Sequence, residues 1–138
     1  MSNKLFSNVY LTFNGNCREA MTFYNDCLGG KLEMMDFGDS PVEVPASGKK
    51  LVLHSNIQRE GITLMASDTT PDRAVTVGQN ASISINCENA AQADSFYNKL
   101  SVGGKQTMPM QKTFWGAYFG MLTDKFGVQW MFNFDEPK

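Results

Sequence analysis

The chain has 138 residues, 42% of them hydrophobic and 19% charged, which suits one ordered globular domain with its own core and excludes a disordered or low-complexity chain. A formal net charge of −2 without a basic stripe gives no electrostatic footprint for a phosphate backbone, so no nucleic-acid partner is expected. The opening MSNKLFSNVYLTF has neither the basic start nor the apolar run of a secretory signal, and no segment approaches the roughly 18 apolar residues of a membrane span, so the expected location is cytoplasmic with no membrane partner.

In chain order, the β-branched and aromatic stretch VYLTFN reads as a first strand. A helix follows over NCREAMTFYNDCLGGK, starting from Asn16 with Glu19 three residues on, an arrangement similar to a capping box. Ala20, Phe23, Tyr24, Cys27 and Leu28 share one face at helical spacing. Gly29 and Gly30 end it, supplying the positive φ of a helix C-cap. Three strand-like segments come next: KLEMMDF, LVLHSNIQ and ITLMAS. Between the first two, GDSPVEVPASGKK (38–50) has turn residues and no periodicity, and reads either as a mobile lid or as an inert surface loop. A polar Pro- and Gly-containing connection spans 69–80.

The same order then returns. SISIN is a strand, Asn89 with Gln92 starts a helix whose apolar face carries Ala93, Phe96, Tyr97 and Leu100, Gly103 and Gly104 follow, and KQTMPM, WGAYFGML and VQWMFNF are strands. An offset of 73 carries Asn16 to Asn89, Ala20 to Ala93, Phe23 to Phe96, Tyr24 to Tyr97 and Asn25 to Asn98, so the chain is a β-α-β-β-β unit written twice. The expected organisation is a single domain over 1–138, with module one about 4–68, loop 69–80 and module two about 81–135.

One helix covers one face of a four-stranded sheet, so each unit has a core face and an open face. A turn at Arg59-Glu60-Gly61 that pairs Gln58 with Gly61 places Asn56 opposite Thr63 and His54 opposite Met65 on the open face. Closing TDKFGV with Thr123 opposite Val128 groups Phe119, Met121, Trp130 and Phe132, and sends Tyr118, Gln129, Met131 and Asn133 to the reverse.

YLTFNGNCREAMTFYNDCLGG, LMAS followed by Asp68, and QKTFWGAYFGMLTDKFGVQWMFNF, on this repeat, resemble the vicinal oxygen chelate superfamily (glyoxalase I, bleomycin resistance proteins, extradiol dioxygenases), and most of all its PhnB-like branch. The resemblance covers nearly the whole chain. It implies an α+β fold in which two βαβββ modules form a curved, cup-shaped mixed sheet with helices on the convex face, and it implies a homodimer. Metal-dependent members place a His or Glu on the first and last strand of each unit. Carried over by position, those places hold Asn8, Thr63, Ser82 and Met131. None offers imidazole or carboxylate, so the expectation is no cofactor, with a divalent metal disfavoured.

The ligand-binding candidates on the open faces are Tyr10, Thr12, His54, Asn56, Thr63, Tyr118, Gln129 and Met131, with Trp115 beside Phe114 in the loop that could close over them. A pocket of apolar walls with a few fixed polar groups is the usual small-molecule site. His54, the one histidine, reads as a ligand-orienting or acid–base group, or as a hydrogen-bonded structural residue. The expected function is small-molecule binding without the family's metal. The alternative is a divalent-metal lyase, isomerase or dioxygenase using other ligands, such as His54 with Glu33 or Asp36; catalytic residues are unassigned and enzyme status stays open. Cys17, Cys27 and Cys87 are odd in number and lack C-x-x-C spacing, so reduced thiols without a nucleophilic role are expected. Both glycine pairs follow a helix, whereas a phosphate cradle precedes one.

Overall fold

The computed structural model describes residues 4–137. The chain divides into two compact units, Met1–Val75 and Thr76–Lys138. The first contains β1 (Val9–Phe13), α1 (Cys17–Leu28), β2 (Lys31–Asp36), β3 (Val52–Arg59) and β4 (Ile62–Asp68), and the second β5 (Ser82–Asn86), α2 (Ala90–Leu100), β6 (Lys105–Lys112), β7 (Ala117–Thr123) and β8 (Gln129–Asp135). Each unit is a four-stranded mixed sheet, ordered β1-β4-β3-β2 and β5-β8-β7-β6. The first strand of each unit runs parallel to the last, and the other neighbours are antiparallel. The architecture is therefore α+β, two copies of one βαβββ module. Among the described residues no helix is long and apolar enough to cross a membrane.

Each helix covers one face of its own sheet. Cys17, Ala20, Met21, Tyr24, Cys27 and Leu28 of α1 are buried with Ser55, Ile57, Leu64 and Ala66 of the strands. In the second unit Ala93, Phe96, Tyr97 and Leu100 of α2 are buried together with Leu122, Trp130 and Phe132. Phe132 is the centre of that core: Trp130 lies parallel to it at 6.1 Å and Tyr97 meets it edge-on at 6.3 Å. Ring pairs in these geometries add to the burial of their area.

The two helix starts differ, although the sequence writes them alike. Asn89 accepts a hydrogen bond from the Gln92 amide, and Gln92 Oε1 accepts one from the Glu88 amide. Asn16 makes no side-chain cap bond, contrary to the capping-box expectation. Its place is taken by Asp68 at the end of β4, whose Oδ1 accepts from the Gly15 and Cys17 amides and whose Oδ2 accepts from the Val52 amide. A buried carboxylate thus satisfies the first orphan donor of α1, the Cys17 amide, from the far end of its unit.

The glycine pairs serve more than the caps. Gly29 is the left-handed C-cap of α1. In α2 the C-cap is Ser101, and Gly103 takes its positive φ of 76° in the turn beyond it. The second glycine of each pair is needed for close approach. A Cβ on Gly30 would stand 2.9 Å from the Gln58 carbonyl oxygen, and one on Gly104 would collide with the backbone at Thr123 and Asp124.

Both hairpin registers differ from expectation. β3 and β4 are joined by a two-residue turn, so Arg59 pairs with Ile62 and Asn56 with Met65, not with Thr63. That is a slip of two, which leaves every face as expected. In the other hairpin Thr123 pairs with Gln129, Leu122 with Trp130, Met121 with Met131 and Phe119 with Asn133. That is a slip of one, which exchanges the faces of β7. The cause is Asp124, buried in the turn: its Oδ1 accepts from the Phe126 and Val128 amides and its Oδ2 from the Trp130 indole. The Asp124 amide also donates to the Val128 carbonyl, so the turn takes five residues instead of four.

Candidate functional site

The open face of the first unit is built from alternate positions of four short strands. Tyr10 and Thr12 project from β1, Glu33 and Met35 from β2, His54 and Asn56 from β3, and Thr63, Met65 and Ser67 from β4. None is buried, whereas the intervening positions of β3 and β4 form the core. Asn8 lies one residue ahead of β1, its amide contacting the neighbouring Val9 carbonyl at 3.3 Å.

Two expected residues are brought together here. Tyr10 Oη and His54 Nδ1 are 3.0 Å apart, their rings tilted at 5.7 Å, so each fixes the other's orientation across the intervening strand. When the Tyr10 hydroxyl donates, the imidazole is left with a free Nε2–H. Beside them Asn56 carries an unmet need: its Oδ1 is buried and has no hydrogen-bond partner. An acceptor in that state costs about 1–3 kcal/mol for as long as it is left unpaired.

The second unit's open face is softer and better satisfied. Phe119, Met121, Thr123, Gln129, Met131 and Asn133 share it, with Ser82 and Ser84 on the edge strand β5. Gln129 Oε1 accepts from the Thr123 hydroxyl at 2.9 Å, and Asn133 donates to Asn86 and Asp135. Trp115, 56% exposed, sits in the β6–β7 turn with its ring edge-on to Phe119 at 5.9 Å and to Phe114 at 5.1 Å.

Tyr118 does not belong to this face. The one-residue register difference turns it to the helix side, where its hydroxyl donates to Asp94 of α2 at 2.6 Å. The carboxylate on that hydroxyl pushes the phenol up to about 12. Phe119 and Met121 take the place expected for it. The sequence signal was present in the Asp of TDKFGV, a residue type that lengthens turns by accepting amides from its own loop.

The 38–50 loop holds two short 3-10 turns, Phe37–Asp39 and Ala46–Gly48. A cleft of about 390 Å³ lined by Phe37, Ser40, Val42, Glu43 and Lys49 runs along it, and it takes in none of the candidate residues. Cys17 is fully buried against the Ser55 hydroxyl, and burial pushes its thiol up to about 11. Burial likewise raises Cys87. A nucleophilic cysteine needs the opposite shift.

The donor set does not fit a hard divalent ion. The positions carried over from metal-dependent proteins hold two amide or hydroxyl side chains in the first unit, Asn8 and Thr63, and a hydroxyl and a thioether in the second, Ser82 and Met131. The alternative trio fares no better, because Asp36 is engaged by Arg18 of α1 while Glu33 and His54 lie on the open face. Among the described residues no group of three or more His, Cys, Asp and Glu side chains could hold a metal ion.

A family model described as 3-demethylubiquinone-9 3-methyltransferase matches residues 7–132. Protein YjdN of Escherichia coli (strain K12) is 30% identical over 135 residues, covering 90% of this chain and 91% of YjdN. The crystal structure of protein PA1353 from Pseudomonas aeruginosa is similar with a TM-score of 0.84 at 42% identity, over 96% of this chain and 100% of that one. The PhnB protein of Bacillus cereus gives a TM-score of 0.73 at 26% identity, over 93% and 98% of the two chains. The chain therefore belongs to the 3-demethylubiquinone-9 3-methyltransferase (PhnB-like) family.

Proposed function

We propose that this protein binds a small organic molecule on the open face of its first unit, without a hard divalent metal. The observation that carries the reading is Asn56: a buried acceptor with no partner, on the face that α1 leaves uncovered and next to a tyrosine–histidine pair already held in place. A site that keeps an unpaired acceptor at a cost in stability is suited to a ligand that supplies the donor. The methyl transfer in the family's description is not part of this proposal, because no group among the candidate residues points to a methyl donor.

Two measurements test the reading. Elemental analysis of protein purified without chelator is expected to find less than stoichiometric Ni, Mn, Fe and Zn; one metal per chain, lost in His54→Ala, refutes the metal-free part. A thermal-shift screen of aromatic and dicarbonyl small molecules is expected to give saturable stabilisation by mass action. That stabilisation should be lost in Asn56→Leu. We further propose a homodimer in the cytoplasm, tested by light scattering on the purified protein; a monomer at micromolar concentration overturns it.

A further inference from the structure

We infer that the open face of the first unit takes the protonated amine of its ligand, an inference that rests on the small-molecule reading above. A single cross-strand row runs over all four strands of that sheet. Glu33 on β2 pairs in register with Asn56 on β3, Asn56 with Met65 on β4, and Met65 with Tyr10 on β1. Residues in direct register share a face, with Cβ atoms about 4.5–5.5 Å apart. Neighbours in the row can therefore meet one small ligand together.

Three members of the row offer something an ammonium group uses. Asn56 contributes the buried carbonyl oxygen that has no donor, and a charged N–H makes the stronger kind of hydrogen bond to it. Glu33, the register partner of Asn56 on β2, contributes a carboxylate. Its contact with Lys31 Nζ at 3.5 Å joins two side chains that are 69% and 81% exposed, a solvent-screened pair that a ligand cation can displace. Tyr10 contributes a half-exposed ring, whose face attracts cations, and whose hydroxyl is tethered to His54. Met65 forms an apolar floor between them.

The row discriminates among ligand charges. A carboxylate or phosphate would be repelled by the Glu33 carboxylate and could not satisfy the Asn56 oxygen, leaving it only the solvent-exposed Lys31 ammonium and the His54 Nε2–H. A neutral alcohol could satisfy Asn56 but would gain nothing from Glu33. An amine satisfies both.

The test uses the full-length protein near neutral pH, with benzylamine, benzyl alcohol, benzoate and benzyltrimethylammonium as probes beside a panel of neutral heteroaromatic compounds. Binding is read by thermal shift and calorimetry. Benzylamine is expected to bind more tightly than the alcohol and benzoate. Glu33→Gln, an exposed substitution that leaves folding intact, and Asn56→Leu are each expected to weaken it about tenfold or more. Benzyltrimethylammonium, which keeps the charge and lacks the donors, is expected to respond to Glu33→Gln and not to Asn56→Leu. Equal binding of benzoate or benzyl alcohol, or unchanged amine affinity in Glu33→Gln, overturns the inference. Neutral heteroaromatics binding where the amine does not would overturn it while leaving the small-molecule reading intact. No stabilisation by any compound of either panel would remove both.

Discussion

Replacing Asp124 by Ala tests how the second unit is held together. The side chain is 3% exposed and accepts three hydrogen bonds: from the Phe126 amide at 2.8 Å, the Val128 amide at 3.0 Å and the Trp130 indole at 2.8 Å. The two amides belong to a partly exposed turn, and water can replace some of what they lose. The indole cannot be rescued that way, because Trp130 is 1% exposed, and a buried donor left unpaired costs about 1–3 kcal/mol. Adding the two turn bonds gives an expected loss of about 3–5 kcal/mol, a large part of the roughly 5–15 kcal/mol that holds a domain folded. Urea unfolding followed by tryptophan fluorescence reads this loss, together with a fall in melting temperature of roughly 10–15 °C. Asp124→Asn keeps one carbonyl oxygen and is expected to fall between wild type and Asp124→Ala. A loss below about 1 kcal/mol in Asp124→Ala, with an unchanged near-ultraviolet circular dichroism signal from Trp130, refutes the reasoning.

The two helix starts should respond differently to the same substitution. Asn89→Ala removes a cap bond and is expected to cost about 1 kcal/mol, while Asn16→Ala is expected to cost only a few tenths, because Asn16 makes no such bond; equal losses in chemical denaturation would contradict this. Absorbance titration of the tyrosines should show one phenol ionising at about 12, moving back toward 10 in Asp94→Asn. Since the folded-state value lies above the unfolded one, the stabilisation from Tyr118 is fully present below pH 10 and is lost as pH rises towards 12; a profile flat across that window rules the Tyr118–Asp94 bond out as its source. In the native protein none of the three cysteines should react rapidly with a disulfide reagent at neutral pH, since burial raises Cys17 and Cys87 and Cys27 is 6% exposed. All three should react in denaturant, and a fast native thiol would contradict the buried assignment.

Much of the molecule was legible in the residues alone. Alternation along VYLTF, LHSNIQ and ITLMAS, and the i, i+3, i+4 spacing of Ala93, Phe96, Tyr97 and Leu100, place the strands and helices and separate core from open face, because side-chain periodicity is a local property of the backbone. The repeat showed that one module is used twice. The open-face positions on β1, β3, β4 and β8 followed from the same alternation. The absence of imidazole and carboxylate at Asn8, Thr63, Ser82 and Met131 needed only the residue types and the family resemblance.

Tertiary structure decided what depends on partners distant in sequence. Tyr118 reads as an open-face residue until the turn is known to close through Asp124, because one extra turn residue reverses every side chain of the strand before it. Asn16 reads as a cap until Asp68 arrives from β4 to hold the helix start by accepting the Gly15 and Cys17 amides. The unpaired oxygen of Asn56 is a property of its surroundings and has no signature in the sequence. Periodicity states which side of a strand a residue occupies; only the folded chain states which groups meet there, since long-range hydrogen bonds and burial are formed between segments and not within them.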